Sequence, residues 1–247
     1  MKSLLCKGAL ALTLLTSLST ANESKVHWGY TGHGAPSSWG ELSPKYHSCS
    51  QGKNQSPINV RTSLDASLEA VKIHYSKASK DVINNGHTIQ VNMEAGDNMV
   101  VDGITFDLKQ FHFHTPSENH IDGKSFPLEA HFVHLDKDGN IAVLALMFEE
   151  GKENSKLAKV WAKMPKGSGE KSELKLQNIA TSLLPENKDY YRFNGSLTTP
   201  PCTEGVRWLV LKTPVTVSKE QVEAFLHTMH HPNNRPVQST NARLIVQ

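Results

Sequence analysis

Residues 110–120 read QFHFHTPSENH, with His112 and His114 one residue apart and interleaved with Phe111 and Phe113. On a strand, successive side chains take opposite faces. Gln110, His112 and His114 therefore share one face, and the phenylalanines take the other. The two histidine Cα atoms are then about 6.5–7 Å apart, close enough for both imidazoles to reach one ion. Two solvated strand histidines fit the same pattern, so this pair alone does not decide. The segment LEAHFVHL at 128–135 repeats the alternation, with Glu129, His131 and Val133 on one face and Phe132 on the other. Paired beside the first strand, it supplies His131 as a third imidazole. Three neutral imidazoles with a free fourth position make a catalytic zinc site, whereas structural zinc sites use four protein ligands, often sulfur. Ligating histidines usually give their second N–H to an oxygen acceptor. Gln110 and Glu129 stand on the right strands and faces to accept it.

The elements that must position these residues are short β-rich runs: VKIHY (71–75), HTIQVNM (87–93), MVVDGITF (99–106), KQFHFHT (109–115), LEAHFVHL (128–135), IAVLALMF (141–148) and VRWLVLK (206–212). Turn signals punctuate them, among them Asn85-Gly86, Asp102-Gly103 and Asp138-Gly139-Asn140. The pattern predicts a mainly β, mostly antiparallel fold. IAVLALMF does not alternate, so it is expected as a central strand buried on both faces. Two helices are expected as packing elements. One carries Leu157, Val160, Trp161 and Met164 before Pro165. The other is capped by Ser218 with Gln221 in a capping box and has Val222, Phe225, Leu226 and Met229 as its apolar stripe. KGSGEKSELK (166–175) reads as a solvated loop. Neither an internal repeat nor a linker marks a second domain.

Residues 1–21 carry Lys2 and Lys7, an apolar run and small residues before Ala21, the pattern of a cleaved signal peptide. That leaves 22–247 as one domain and predicts export, to the periplasm or beyond the cell. Removing 1–21 lowers Lys+Arg from 26 to 24 against 24 Asp+Glu. A neutral chain does not supply the basic surface that nucleic acid requires. After that segment there is no apolar run of membrane length. Of the three cysteines, Cys49 and Cys202 remain, which in an exported chain suggests one disulfide or, alternatively, two buried thiols.

QFHFH, SEN (117–119), LEAHFVHL and NGSLTTPPCTEGVRW (194–208), with HWGY (27–30), QSPINV (55–60) and NNGH (84–87), resemble the α-class carbonic anhydrases. The resemblance runs in order over essentially all of 22–247. Thr115-Pro116, where many animal members have Trp-Gly, resembles the bacterial members. The resemblance implies a large central twisted β-sheet with short peripheral helices, and a zinc ion on His112, His114 and His131 that activates water for reversible hydration of carbon dioxide to bicarbonate. It also implies roles for other residues. Thr198 would be the gatekeeper that donates to Glu118, and Thr199 an anion contact. His87 would shuttle protons, with Tyr30, Asn85 and Gln90 ordering water; Gln90 departs from the usual asparagine. Val133, Val143, Leu197 and Trp208 would form the apolar wall for the substrate. Cys49–Cys202 would be the family disulfide, and Ser56-Pro57 and Pro200-Pro201 cis bonds. Relatives that keep the fold as silent binding modules, or a zinc buffer, are the alternatives. No oligomeric state follows from the sequence.

Overall fold

The computed structural model describes residues 26–61 and 64–247; the signal peptide expected over 1–21 lies outside them. In chain order the strands are β1 Asn59–Val60, β2 Lys72–His74, β3 Ser79–Asn84, β4 Ile89–Met93, β5 Asn98–Val101, β6 Ile104–His114, β7 His120–Ile121, β8 Leu128–Leu135, β9 Ile141–Glu150, β10 Lys171–Glu173, β11 Tyr190–Ser196, β12 Glu204–Leu211 and β13 Val215–Val217. Eleven of them make one sheet, whose main path runs β10-β3-β4-β6-β8-β9-β12-β11. Its pairs are antiparallel except where β12 and β13 join β9 in parallel. β1 and β7 form a separate parallel pair.

Register converts the sequence alternation into two surfaces. Val82, Val91, Phe111, Phe132, Leu144 and Leu209 lie in one row across β3, β4, β6, β8, β9 and β12. All six are buried in the main core, and the Phe111 and Phe132 rings stack at 5.0 Å. Side chains one residue along each strand face the other way. There one row reads Asp81, Asn92, Gln110, Val133, Val143 and Trp208, and its neighbour reads Ile83, Gln90, His112, His131, Ala145 and Val210. β9 lies between β8 and β12 and is buried from Ala142 to Phe148, as its unbroken apolar run predicts.

The helices Ser155–Trp161 and Lys219–Met229 pack on the core face, away from the histidines. Trp161 stacks on Phe225 at 5.7 Å and meets Phe113 edge-on at 4.8 Å. Ser218 and Gln221 form the expected capping box. The apolar stripe differs from expectation. Phe225 and Met229 are buried with Gln221 and Thr228, but Leu226 is exposed. Gln221 faces inward because it also bonds both backbone groups of Asn154, fixing the helix one step around its axis. Part of 166–175 is strand where a loop is expected. Lys171–Glu173 extends the sheet edge on β3 and buries Leu174 beside it. Ser56-Pro57 and Pro200-Pro201 are cis, as is Thr115-Pro116.

Candidate active site

His112 and His131 are cross-strand partners on β6 and β8, and His114 pairs with Glu129 one step along. The three rings lie 4.6–5.4 Å apart by centroid. Each ring has one nitrogen committed to an acceptor. His112 Nδ1 donates to Gln110 Oε1 at 2.8 Å, His114 Nδ1 to the Asn233 carbonyl at 2.7 Å, and His131 Nε2 to Glu129 Oε1 at 2.8 Å. An amide oxygen, a carbonyl and a carboxylate can only accept, so these nitrogens carry the protons. The opposite nitrogen of each ring is left as a lone pair. One candidate ligand atom from each ring lies within 4.8 Å of the others. Among the described residues, His114 Nε2 is buried with no hydrogen-bond partner, an orphan that a cation would satisfy.

Burial holds all three imidazoles below their usual pKa. For His112 and His131 the neighbouring imidazoles push the same way, and for His114 the Asn233 carbonyl and Glu129 partly offset it. Neutral imidazole is the form that binds metal. Ligand type, count and remaining hydrogen bonds thus fit a zinc ion with an open fourth position.

Two carboxylates back the histidines. Glu129 is saturated, accepting Glu118 N (2.7 Å), Asn119 N (2.9 Å), Asn119 Nδ2 (2.8 Å) and His131. Glu118 accepts Arg235 N on Oε1 at 2.8 Å. Its Oε2 lies 3.5 Å from His114 Nε2 and 3.9 Å from His131 Nδ1. Burial raises the Glu118 pKa, while the Thr198 hydroxyl and Arg235 N–H favour its ionised form. Among the described residues no donor reaches Oε2 with full hydrogen-bond geometry.

The apolar residues gather beside the metal position. Val133, Val143 and Trp208 occupy consecutive places in one row, and Leu197 packs on the same cluster. Trp208 meets His131 edge-on at 4.9 Å and donates Nε1–H to Ser196 O at 3.0 Å. The turn after β11 carries buried Thr198 and half-buried Thr199, whose carbonyl accepts Cys202 N at 2.8 Å. Cys202 is disulfide-bonded to Cys49. A Cβ at Gly195 would stand 2.1 Å from Ser56 Oγ, so only glycine permits this close approach.

His87, half-buried, stacks on Trp28 at 3.8 Å. Burial lowers its pKa, with His27 and His231 adding to the effect. Gln90 pairs with His112 in register, and Asn85 accepts His87 N at 2.9 Å. The Tyr30 hydroxyl is buried, and burial followed by Glu118 raises its pKa.

Sequence reasoning missed three residues. Asn119 holds Glu129 and accepts Ile58 N. Asn233 accepts the His114 Nδ1–H hydrogen bond on its carbonyl, while its Nδ2 donates to the carbonyls of His87 and Phe113. Arg235 is buried and spreads its guanidinium over Gln55 Oε1, Ser56 O and Cys49 O. Asn119 lies in SEN (117–119), which carries the family resemblance, but no role was read for it. The other two sit in NNR (233–235), which carries no periodic or ligand signal.

A buried three-imidazole centre backed by carboxylates, with an apolar wall on one side and an imidazole at the other, defines a zinc lyase-type active site. The chain belongs to the eukaryotic-type carbonic anhydrase family, whose model matches residues 34–247. It is 50% identical over 242 residues to a carbonic anhydrase of Pectobacterium carotovorum, covering 97% of this chain and 99% of that one. It is 51% identical over 241 residues to one of Neisseria gonorrhoeae, covering 97% and 95%. Among solved structures, the α-carbonic anhydrase of Thermovibrio ammonificans, in complex with the inhibitor sulfanilamide, is similar at a TM-score of 0.87 and 54% identity, over 90% of this chain and 99% of that one.

Proposed function

We propose that this chain is a zinc-dependent carbonic anhydrase that reversibly hydrates carbon dioxide to bicarbonate and a proton, with His112, His114 and His131 as the ligands. The single observation that carries this reading is the convergence of three neutral imidazoles whose outer nitrogens are all engaged. Zinc there supplies a Lewis acid that brings the pKa of bound water into the neutral range, an effect for which carbonic anhydrase is the standing example. The protein's residues do the rest. Gln110, Glu129 and the Asn233 carbonyl fix each ring's tautomer and aim. Thr198, donating to ionised Glu118, keeps its own oxygen as an acceptor, which orients the attacking oxygen's lone pair toward carbon. Val133, Val143, Leu197 and Trp208 hold an apolar, linear substrate next to that oxygen, and Thr199 contacts the anionic product. His87, aided by Tyr30, Asn85 and Gln90, carries the proton to buffer. The three ligand positions are all histidine, and Glu118, Thr198 and His87 are present, which favours an enzyme over a silent binding module or a zinc buffer.

Residues 1–21 support export, and the Cys49–Cys202 bond suits an oxidising compartment such as the periplasm. Among the described residues no helix is long and apolar enough to cross a membrane. Stopped-flow hydration of carbon dioxide by zinc-loaded protein tests the activity. Chelation or His112→Ala is expected to bring the rate down to that of buffer alone, with zinc content falling in parallel. Absence of hydration by fully loaded wild-type protein would refute the reading.

A further inference from the structure

Beside the metal position, four hydrogen bonds form one line. His87 N–H donates to Asn85 Oδ1 (2.9 Å), Asn85 Nδ2 to Gln90 Oε1 (3.4 Å), Gln90 Nε2 to Asn92 Oδ1 (2.7 Å) and Asn92 Nδ2 to Asp81 Oδ1 (2.6 Å). All four bonds point the same way. A side-chain amide has a donor end and an acceptor end, and turning it over reverses its pattern. Both ends of the line resist the turn: Asn85 Oδ1 accepts the backbone N–H groups of His87 and Thr88, each at 2.9 Å, and Asp81 stands at the far end. A carboxylate only accepts, so Asp81 requires Asn92 to present Nδ2. Asn92 then offers only its oxygen to Gln90, and Gln90 only its oxygen to Asn85. The His87 end agrees independently, because a backbone N–H can only donate. Asp81 is buried directly across from Asn92 in register, with Lys171 Nζ 3.6 Å from its second oxygen. Bonds aligned in this way polarise one another.

We propose that Asp81 is a positioning residue for proton transfer: through Asn92, Gln90 and Asn85 it fixes the direction of the amide relay, and with it the turn that carries His87 and the polar wall beside His112. The proposal rests on the reading of His87 as the proton carrier. None of its residues is a metal ligand, and Asp81 does not contact the reacting atoms.

The test compares Asp81→Asn, which can present either an oxygen or an NH2 group, and Asn92→Val, which cuts the relay one link earlier, with His87→Ala. All are zinc-loaded and assayed for hydration in dilute and in concentrated imidazole buffer. Both relay variants are expected to lose at least about threefold in kcat in dilute buffer, to keep kcat/KM, and to regain kcat in concentrated imidazole. Deuterium exchange of the His87 amide should also accelerate. Two variants guard against one failing to fold. If His87→Ala loses kcat but both folded relay variants keep it, the proposal is overturned. A loss of kcat and kcat/KM together without imidazole rescue also overturns it, because that marks a general structural defect. If His87→Ala itself keeps kcat in dilute buffer, the shuttle reading fails first, and any slower His87 function of Asp81 falls with it.

Discussion

His134 is fully buried on the core face of β8, three residues from a metal ligand but turned away from it. Its Nδ1–H donates to the Ala142 carbonyl at 3.2 Å, so Nε2 is the lone pair and accepts from the Tyr75 hydroxyl at 2.6 Å. Burial lowers its pKa from 6.5 to about 4, against smaller opposing effects from backbone carbonyls and Asp107. The group is neutral in the fold and in the unfolded chain above pH 6.5, so its contribution is fully present there. Below 6.5 the unfolded chain takes up a proton that the native state refuses, and stability falls with pH until the native residue also protonates near pH 4. At roughly 1.4 kcal/mol per pH unit, that interval comes to about 3 kcal/mol. Urea unfolding of zinc-free protein between pH 7.5 and pH 4, for wild type and His134→Gln, measures it. Acid effects of the other buried histidines are common to both proteins and cancel in the difference. The stability gap between wild type and variant is expected to shrink by about 3 kcal/mol as pH falls across that window. A gap that stays flat would refute the account, as would a His134 NMR titration midpoint near 6.5.

Removing the cross-link with the double substitution Cys49→Ser and Cys202→Ser frees a loop spanning 153 residues. Unfolding free energy in urea should drop by about 2–5 kcal/mol, and a drop below about 1 kcal/mol would contradict a constraint on the unfolded chain. Thr198→Ala removes the hydroxyl that acts on Glu118. It should lower kcat/KM by about 10²-fold, the typical cost of losing one oriented transition-state partner, with zinc content unchanged; a loss under about threefold would remove Thr198 from the proposed mechanism.

The ligand set was legible because it is written in a local code. Period-two alternation in QFHFH and LEAHFVHL states which side chains share a face, and only the pairing of two strands is needed to bring them together. The long strands and the buried β9 were legible for the same reason. β3 and β11 were not, because SKDVIN and YYRFNGS mix polar and apolar residues without clean alternation. β10 is held by its sheet neighbour and not by its own composition. Asn233 and Arg235 were invisible because their roles come from backbone groups and from contacts over 100 residues away in sequence, such as His114 to Asn233 across 119 positions. The relay from Asp81 to Asn85 was likewise hidden: each residue looks like ordinary strand or turn polarity until register lines them up.

The same alternation that folds the sheet also fixes the chemistry. Shifting β8 by one residue against β6 would bring Phe132 to the face now held by His131 and turn His131 into the core among Phe111 and Leu144. That slip would cost the buried aromatic stack and leave an unpaired imidazole in an apolar environment. Metal-site geometry is therefore not imposed on the fold at its expense, because the register that buries the phenylalanines is the one that converges the histidines. Position along the rows extends the logic. Amides and Asp81 occupy β3, β4 and β6, Val133, Val143 and Trp208 occupy β8, β9 and β12, and the imidazoles of β6 and β8 stand at the boundary between them. On the proposed reading, the proton path and the apolar substrate pocket then lie on opposite sides of one centre by strand order alone.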